Sequence, residues 1–93
     1  MSNTSASVFV RRSTVADVAD LARLSALSGA ARAPQGVYLL AEVEGSTVAA
    51  VSLDRSEPVL RDPAHDTSDV AELLRRWGCK LRREARRLER QAA

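Results

Sequence analysis

Cysteine is almost missing from this chain: Cys79 stands alone, so no disulfide can close within it and no cysteine cluster can hold a metal. Aromatic residues are nearly as scarce, and Phe9, Tyr38 and Trp77 are the only three. Any core must therefore rest on Leu, Val and Ala. No apolar run is long enough to cross a bilayer; the strongest one, Val37 to Ala41, falls far short of the ~20 residues a spanning helix needs. Residues 1–7 lack the basic start and apolar stretch of a secretory signal and read as a disordered tail. These absences make the cytoplasm the expected location, with no transmembrane segment. The 93 residues leave room for one domain. A domain of this size buries only about 60% of the surface its unfolded chain exposes. A second chain is a common remedy, so a homo-oligomer or a complex with another protein is expected.

What is abundant is positive charge, and it is unevenly placed. Residues 1–74 carry 6 Arg against 10 acids, a balance of −4, whereas residues 75–93 carry 8 Arg or Lys against 2 acids, a balance of +6. The body is mildly acidic and one end is a basic segment.

Hydropathy patterning predicts the elements. Val8 to Arg11 is a short β-prone run. Thr14 with Asp17 three residues on has the form of a capping box. Val15, Val18, Leu21, Ala22 and Leu24 then recur at helical spacing and are expected to form one buried stripe. Gly29 is placed to end that helix as its C′ residue, and Pro34 bars its continuation through the connector at 31–36. The clearest local signal is a hairpin, with Val37–Val43 and Ser46–Leu53 around Glu44-Gly45, where a two-residue loop suits a type I′ turn. That loop sets Ala41 opposite Val48, Leu39 opposite Ala50, Leu40 opposite Ala49 and Tyr38 opposite Val51. Both faces of the hairpin are then apolar, which calls for a helix above and a helix below. Asp54–Glu57 reads as a turn and Pro58–Leu60 as a short further strand. After the loop of residues 62–66, Thr67 or Ser68 caps a long helix reaching roughly Arg90. Its apolar rhythm is Val70, Leu74, Trp77, Leu81, Leu88. Gly78 weakens the middle of that helix by roughly 1 kcal/mol relative to Ala. The expected fold is α+β: a small, mainly antiparallel sheet of three or four strands in the order β-α-β-β-(β)-α, with a helix on each face.

These residues resemble a known family. Val8-Phe9-Val10-Arg11-Arg12-Ser13-Thr14-Val15-Ala16-Asp17 looks like the opening strand and helix cap of GNAT N-acetyltransferases, and Val37–Leu53 is similar to that family's β2–β3 hairpin. The resemblance covers roughly residues 8–82 and implies a GNAT-like half-domain, with 83–93 the basic end of the last helix. In that family a glycine-rich turn between the fourth strand and the following helix binds the diphosphate of acetyl-CoA through free backbone N–H groups at a helix N-terminus, where the dipole favours anions. Here the matching stretch is Arg61-Asp62-Pro63-Ala64-His65-Asp66-Thr67. It has no glycine, Pro63 has no N–H, and Asp62, Asp66 and Asp69 bring negative charge. Arg61 alone fits the family's pattern as a cofactor-binding candidate. The family's later strands are also absent from this sequence.

No catalytic or metal-binding residue is assigned. His65 reads as a solvated loop histidine, Cys79 as a small buried apolar residue rather than a reactive thiol, and Trp77 as a core anchor between helix and hairpin or the centre of an interface. Trp77, Leu81 and Leu88 are candidate interface residues, the last two because a helix reaching Arg90 outruns the sheet. Arg75, Arg76, Arg82, Arg83, Arg86 and Arg87 are candidate anion contacts. The expected function is a non-catalytic GNAT-like domain acting through protein contact or homodimerisation, with no cofactor. The alternatives are a minimal or two-chain N-acetyltransferase using acetyl-CoA and, more weakly, nucleic-acid or anionic-surface binding by the Arg-rich helix.

Overall fold

In the hairpin Glu44 and Gly45 both take positive φ, 52° and 82°, as a type I′ turn demands. The computed structural model describes residues 8–30, 33–55 and 57–92; the expected tail at 1–7 and part of the connector lie outside them. The hairpin strands are β2 (Tyr38–Val43) and β3 (Ser46–Ser52). Next to the turn the expected register holds, with Val43 opposite Ser46 and Glu42 opposite Thr47. Beyond it the register shifts by one, to Ala41–Ala49, Leu40–Ala50, Leu39–Val51 and Tyr38–Ser52. The sequence-based pairing is wrong over this outer part. Val48 is the extra residue of a β-bulge, and it joins the same buried cluster as Ala49. The bulge rephases the strand's alternation.

Two more strands complete the sheet: β1 (Val8–Arg12) and β4 (Leu60–Arg61). The spatial order is β1-β2-β3-β4, all antiparallel. The fold is thus a small α+β arrangement with a four-stranded sheet and two helices among the described residues.

The first helix, α1 (Val18–Leu27), is entered through a 3₁₀ turn at Val15–Asp17. Its capping box is as the sequence predicts. Thr14 Oγ1 accepts the Ala16 N–H at 3.2 Å and Asp17 Oδ2 accepts the Thr14 N–H at 2.7 Å. At its other end Gly29 takes φ 68°. Its N–H bonds Ala26 O and the Ala30 N–H bonds Ser25 O, which is a Schellman ending. The predicted stripe is too broad. Leu21 and Leu24 are buried, but Val15 and Val18 stand 91% and 65% exposed, and Ala22 is exposed too. The reason is that α1 lies over β3 and β4, so the flank turned away from them meets solvent.

The second helix, α2 (Ser68–Ala92), has 25 residues and is ~37 Å long at 1.5 Å per residue. It covers the opposite face, over β3 and β2. One core joins Leu21 and Leu24 to Tyr38, Leu40, Ala50 and Leu60. The other joins Leu74 to Leu39, Ala41, Val48, Ala49 and Val51, with Val10, Val70 and Leu81 packed at its margin. Trp77 is not a core anchor: it is 50% exposed. Gly78 faces the sheet instead, and a Cβ there would lie 3.1 Å from Val51 Cγ1. The helix sits too close to β3 for a large side chain on that side. The glycine that weakens the helix permits its approach.

Candidate functional surfaces

Arg61 ends β4, and the chain then turns into α2 through the stretch that the resemblance equates with a coenzyme loop. Its polar groups are engaged with one another. Ala64 N–H donates to Asp62 Oδ1 at 2.9 Å, His65 N–H to Asp62 O at 3.1 Å, and Ser68 N–H to Asp66 Oδ1 at 3.4 Å. The Asp62 N–H is used by Val48 O at 3.0 Å. Asp62 is buried, and Arg23 reaches it at 3.1 Å while also donating to Thr47 O at 2.7 Å. The Ala64 N–H, with Arg23 and His65 adding to it, holds the Asp62 carboxyl below the usual carboxylate range. His65 Nε2 lies 3.9 Å from the same carboxylate. A cleft of about 450 Å³ opens beside the turn, lined by Arg61, His65, Asp66 and Thr67 and by Leu27 and Val59 across from them. The stretch suits a diphosphate poorly: Pro63 has no N–H, the Ala64 and Ser68 amides already serve carboxylates, and those carboxylates would repel an anion.

The edge of β4 is closed as well. Ser28, at the C-terminal cap of α1, accepts the Arg61 N–H at 2.8 Å and donates its hydroxyl to Arg61 O at 3.1 Å. One side chain thus satisfies both outward-facing groups of that strand, a form of edge protection.

At the other end of the sheet, Arg11 of β1 bridges two acids distant in sequence. Its guanidinium meets Asp17 at 2.9 and 2.8 Å and Glu42 at 3.1 and 2.8 Å. Asp17 is 4% exposed. Its carboxyl is pushed far below the usual range, chiefly by Arg11 and next by the Thr14 N–H. Arg11 is raised in turn, mainly by Asp17. This cluster ties β1, β2 and the start of α1 together.

The predicted anion contacts on α2 divide. Arg75 and Arg76 pair with Glu72 at 2.6 and 3.3 Å. Arg82 turns back to the body, donating to Ser52 O at 2.8 Å and Arg55 O at 3.5 Å, so it anchors the helix. Arg83, Arg86 and Arg87 are exposed and form no ion pair among the described residues. The predicted interface residues divide too. Leu81 packs against the second core, within reach of the sheet, whereas Trp77 and Leu88 stand in solvent, Leu88 at 64%. Cys79 is exposed.

Sequence reasoning missed one feature. Tyr38 is buried, and its hydroxyl donates to Glu57 Oε1 at 3.3 Å at the floor of a second cleft, also about 450 Å³, beside Pro34, Pro58 and Val59. Burial, with Glu57 contributing, raises the Tyr38 hydroxyl above its usual value. No local pattern links residues 38 and 57. Among the described residues no cluster could hold a metal ion, and no helix is long and apolar enough to cross a membrane. Comparison with family models, curated proteins and solved structures finds no match.

Proposed function

We propose that this chain is a non-catalytic module, akin to the front half of a GNAT domain, that works by binding another polypeptide. The observation that carries it is the placement of the aromatics. Of only three in the sequence, Phe9 and Trp77 stand 65% and 50% exposed. Large aromatic side chains left in water forgo much of the stabilisation their burial would contribute. Trp in particular is enriched where interfaces are strongest. The turn between β4 and α2 supports the non-catalytic half of the proposal, because it offers acids and a proline where acetyl-CoA would require free amides. Calorimetric titration with acetyl-CoA tests it: no heat and no thermal stabilisation are expected at coenzyme concentrations up to about 1 mM. Binding tighter than about 100 μM, roughly −5.5 kcal/mol, would overturn it.

A further inference from the structure

The two edges of the sheet are treated differently. At the β4 edge, Ser28 occupies the outward groups of Arg61. At the β1 edge the alternation runs as follows. Ser13 N–H bonds Tyr38 O, so in this antiparallel ladder Arg11 and Phe9 also bond inward to β2, while Val8, Val10 and Arg12 present their N–H and C=O groups outward. Among these outward groups the Arg12 carbonyl takes a side-chain bond from Arg11, at 3.2 Å. The outward positions Val8 and Arg12 lie symmetrically about Val10, and the Arg12 carbonyl keeps a second lone pair.

On the α2 side of the sheet no described element covers the same edge. Val10 belongs to the margin of the core beneath α2, so Val8, two residues away, shares that face, and Val8 is 40% exposed. Arg82 fixes the rotation of α2 by bonding Ser52 O, a carbonyl that points to the β4 side because Leu53 and Val51 are the β3 residues that bond inward to β2. On the helical wheel Leu73 and Trp77 lie on the opposite flank from Arg82, towards β1. They are 37% and 50% exposed. Val8 at the strand edge and Trp77 on the helix flank, with Val70 and Leu81 packed beside Val10 between them, would line a shallow trough.

We infer that the occupant of this edge is a second copy of the chain, paired β1 to β1 antiparallel about Val10 in a continuous eight-stranded sheet. This deepens the protein-contact function proposed above and rests on it. Three features select a second copy. The outward groups are in phase with themselves: Val10 meets Val10 of the other copy, and Val8 meets Arg12. A two-fold about Val10 closes both troughs together and sets Phe9 of one copy against Arg11 of the other, an aromatic beside a guanidinium. It also runs the two α2 helices antiparallel, so the basic end of each lies on the side of the acidic start of the other, which carries Asp66, Asp69 and Glu72. The exposed parts of Phe9, Trp77, Leu73 and Val8 come to roughly 400 Å² per chain on ordinary side-chain areas. With the strand edge added, the total over both chains reaches about 1,000 Å², the low end for a specific interface.

Light scattering during size-exclusion, across a dilution series of the full chain, is the test. A mass of twice 10.0 kDa is expected at the upper concentrations. Val10→Pro removes an outward N–H without touching the bonds to β2, and it should raise the dimer dissociation constant about tenfold or more with the far-ultraviolet circular dichroism unchanged. Trp77→Glu, at an exposed helix position, should do the same and serves if the proline variant does not fold. In the dimer the Val8 and Val10 amides should exchange slowly with solvent deuterium. A monomer at every concentration overturns the inference, as does a dimer that both folded variants leave intact. A monomer that ignores acetyl-CoA removes only the second copy as partner; a chain that binds the coenzyme removes the protein-contact function itself.

Discussion

Asp17 collects more hydrogen bonds than any other acid described above: two from Arg11 and two from Thr14. It caps α1 and anchors β1 at once, so Asp17→Asn should lower stability by about 1–3 kcal/mol, read from urea unfolding. Its pH signature has a definite sign. The folded carboxyl lies below the ordinary aspartate value of 3.8, so near that value the unfolded chain binds the proton more readily. The stabilisation is complete above the unfolded value and is lost as pH falls through 3.8 and below. Asp62 is displaced in the same direction. The unfolding midpoint should therefore drop between about pH 5 and about pH 3, and the drop should be shallower in Asp17→Asn. Half of this arrangement can be read directly: Thr14 and Asp17 are three apart, a spacing that backbone geometry alone turns into a cap. The other half, Arg11 meeting Glu42 across 31 positions, exists only once β1 lies beside β2.

At the scale of elements, α2 shows how a correct periodicity can carry a wrong orientation. The sequence places Val70, Leu74 and Leu81 in one stripe with Trp77 and Leu88, yet the helix turns Ala71 and Gly78 to the sheet and leaves the indole outside. A 3.6-residue period specifies an apolar stripe but not which of its margins meets the sheet; the 3.1 Å approach of position 78 to Val51 decides that. Leu74→Ala should then cost about 2–5 kcal/mol as a fully buried deletion, whereas Leu88→Ala should change stability by less than about 0.5 kcal/mol. Thermal unfolding of the two variants separates them. Equal losses would mean that the end of α2 is packed against the body. The hairpin holds the same lesson: its turn was legible in Glu44-Gly45, but the bulge at Val48 was not, because the demand for Val48 and Ala49 on one face comes from α2.

Over the whole molecule the dimensions are 53 × 31 × 22 Å, and α2 outruns a sheet whose longest strand has 7 residues. Among the described residues, Arg82 is the last of α2 that hydrogen-bonds the body. Removing residues 85–93 should therefore lower the stability of the folded chain by less than about 1 kcal/mol, measured by urea unfolding at a fixed protein concentration. A larger loss would assign that segment a contact within the fold. The charge asymmetry acts at this scale too, since the basic end of α2 belongs to a +6 segment beside a body of −4 and biases how two copies can approach.

The sequence by itself determined the order of elements, the α+β class, the cap at Thr14, the type I′ turn and the helix end at Gly29. Each follows from backbone preference or from a periodicity only a few residues long. It also determined the acids and the proline between Arg61 and Thr67. Only the tertiary structure decided that Arg23 reaches Asp62, that Ser28 closes the β4 edge, and that Trp77 faces out. These depend on which surfaces meet across 30 or more positions, and the helix–sheet distance that sets them is a property of the packed whole.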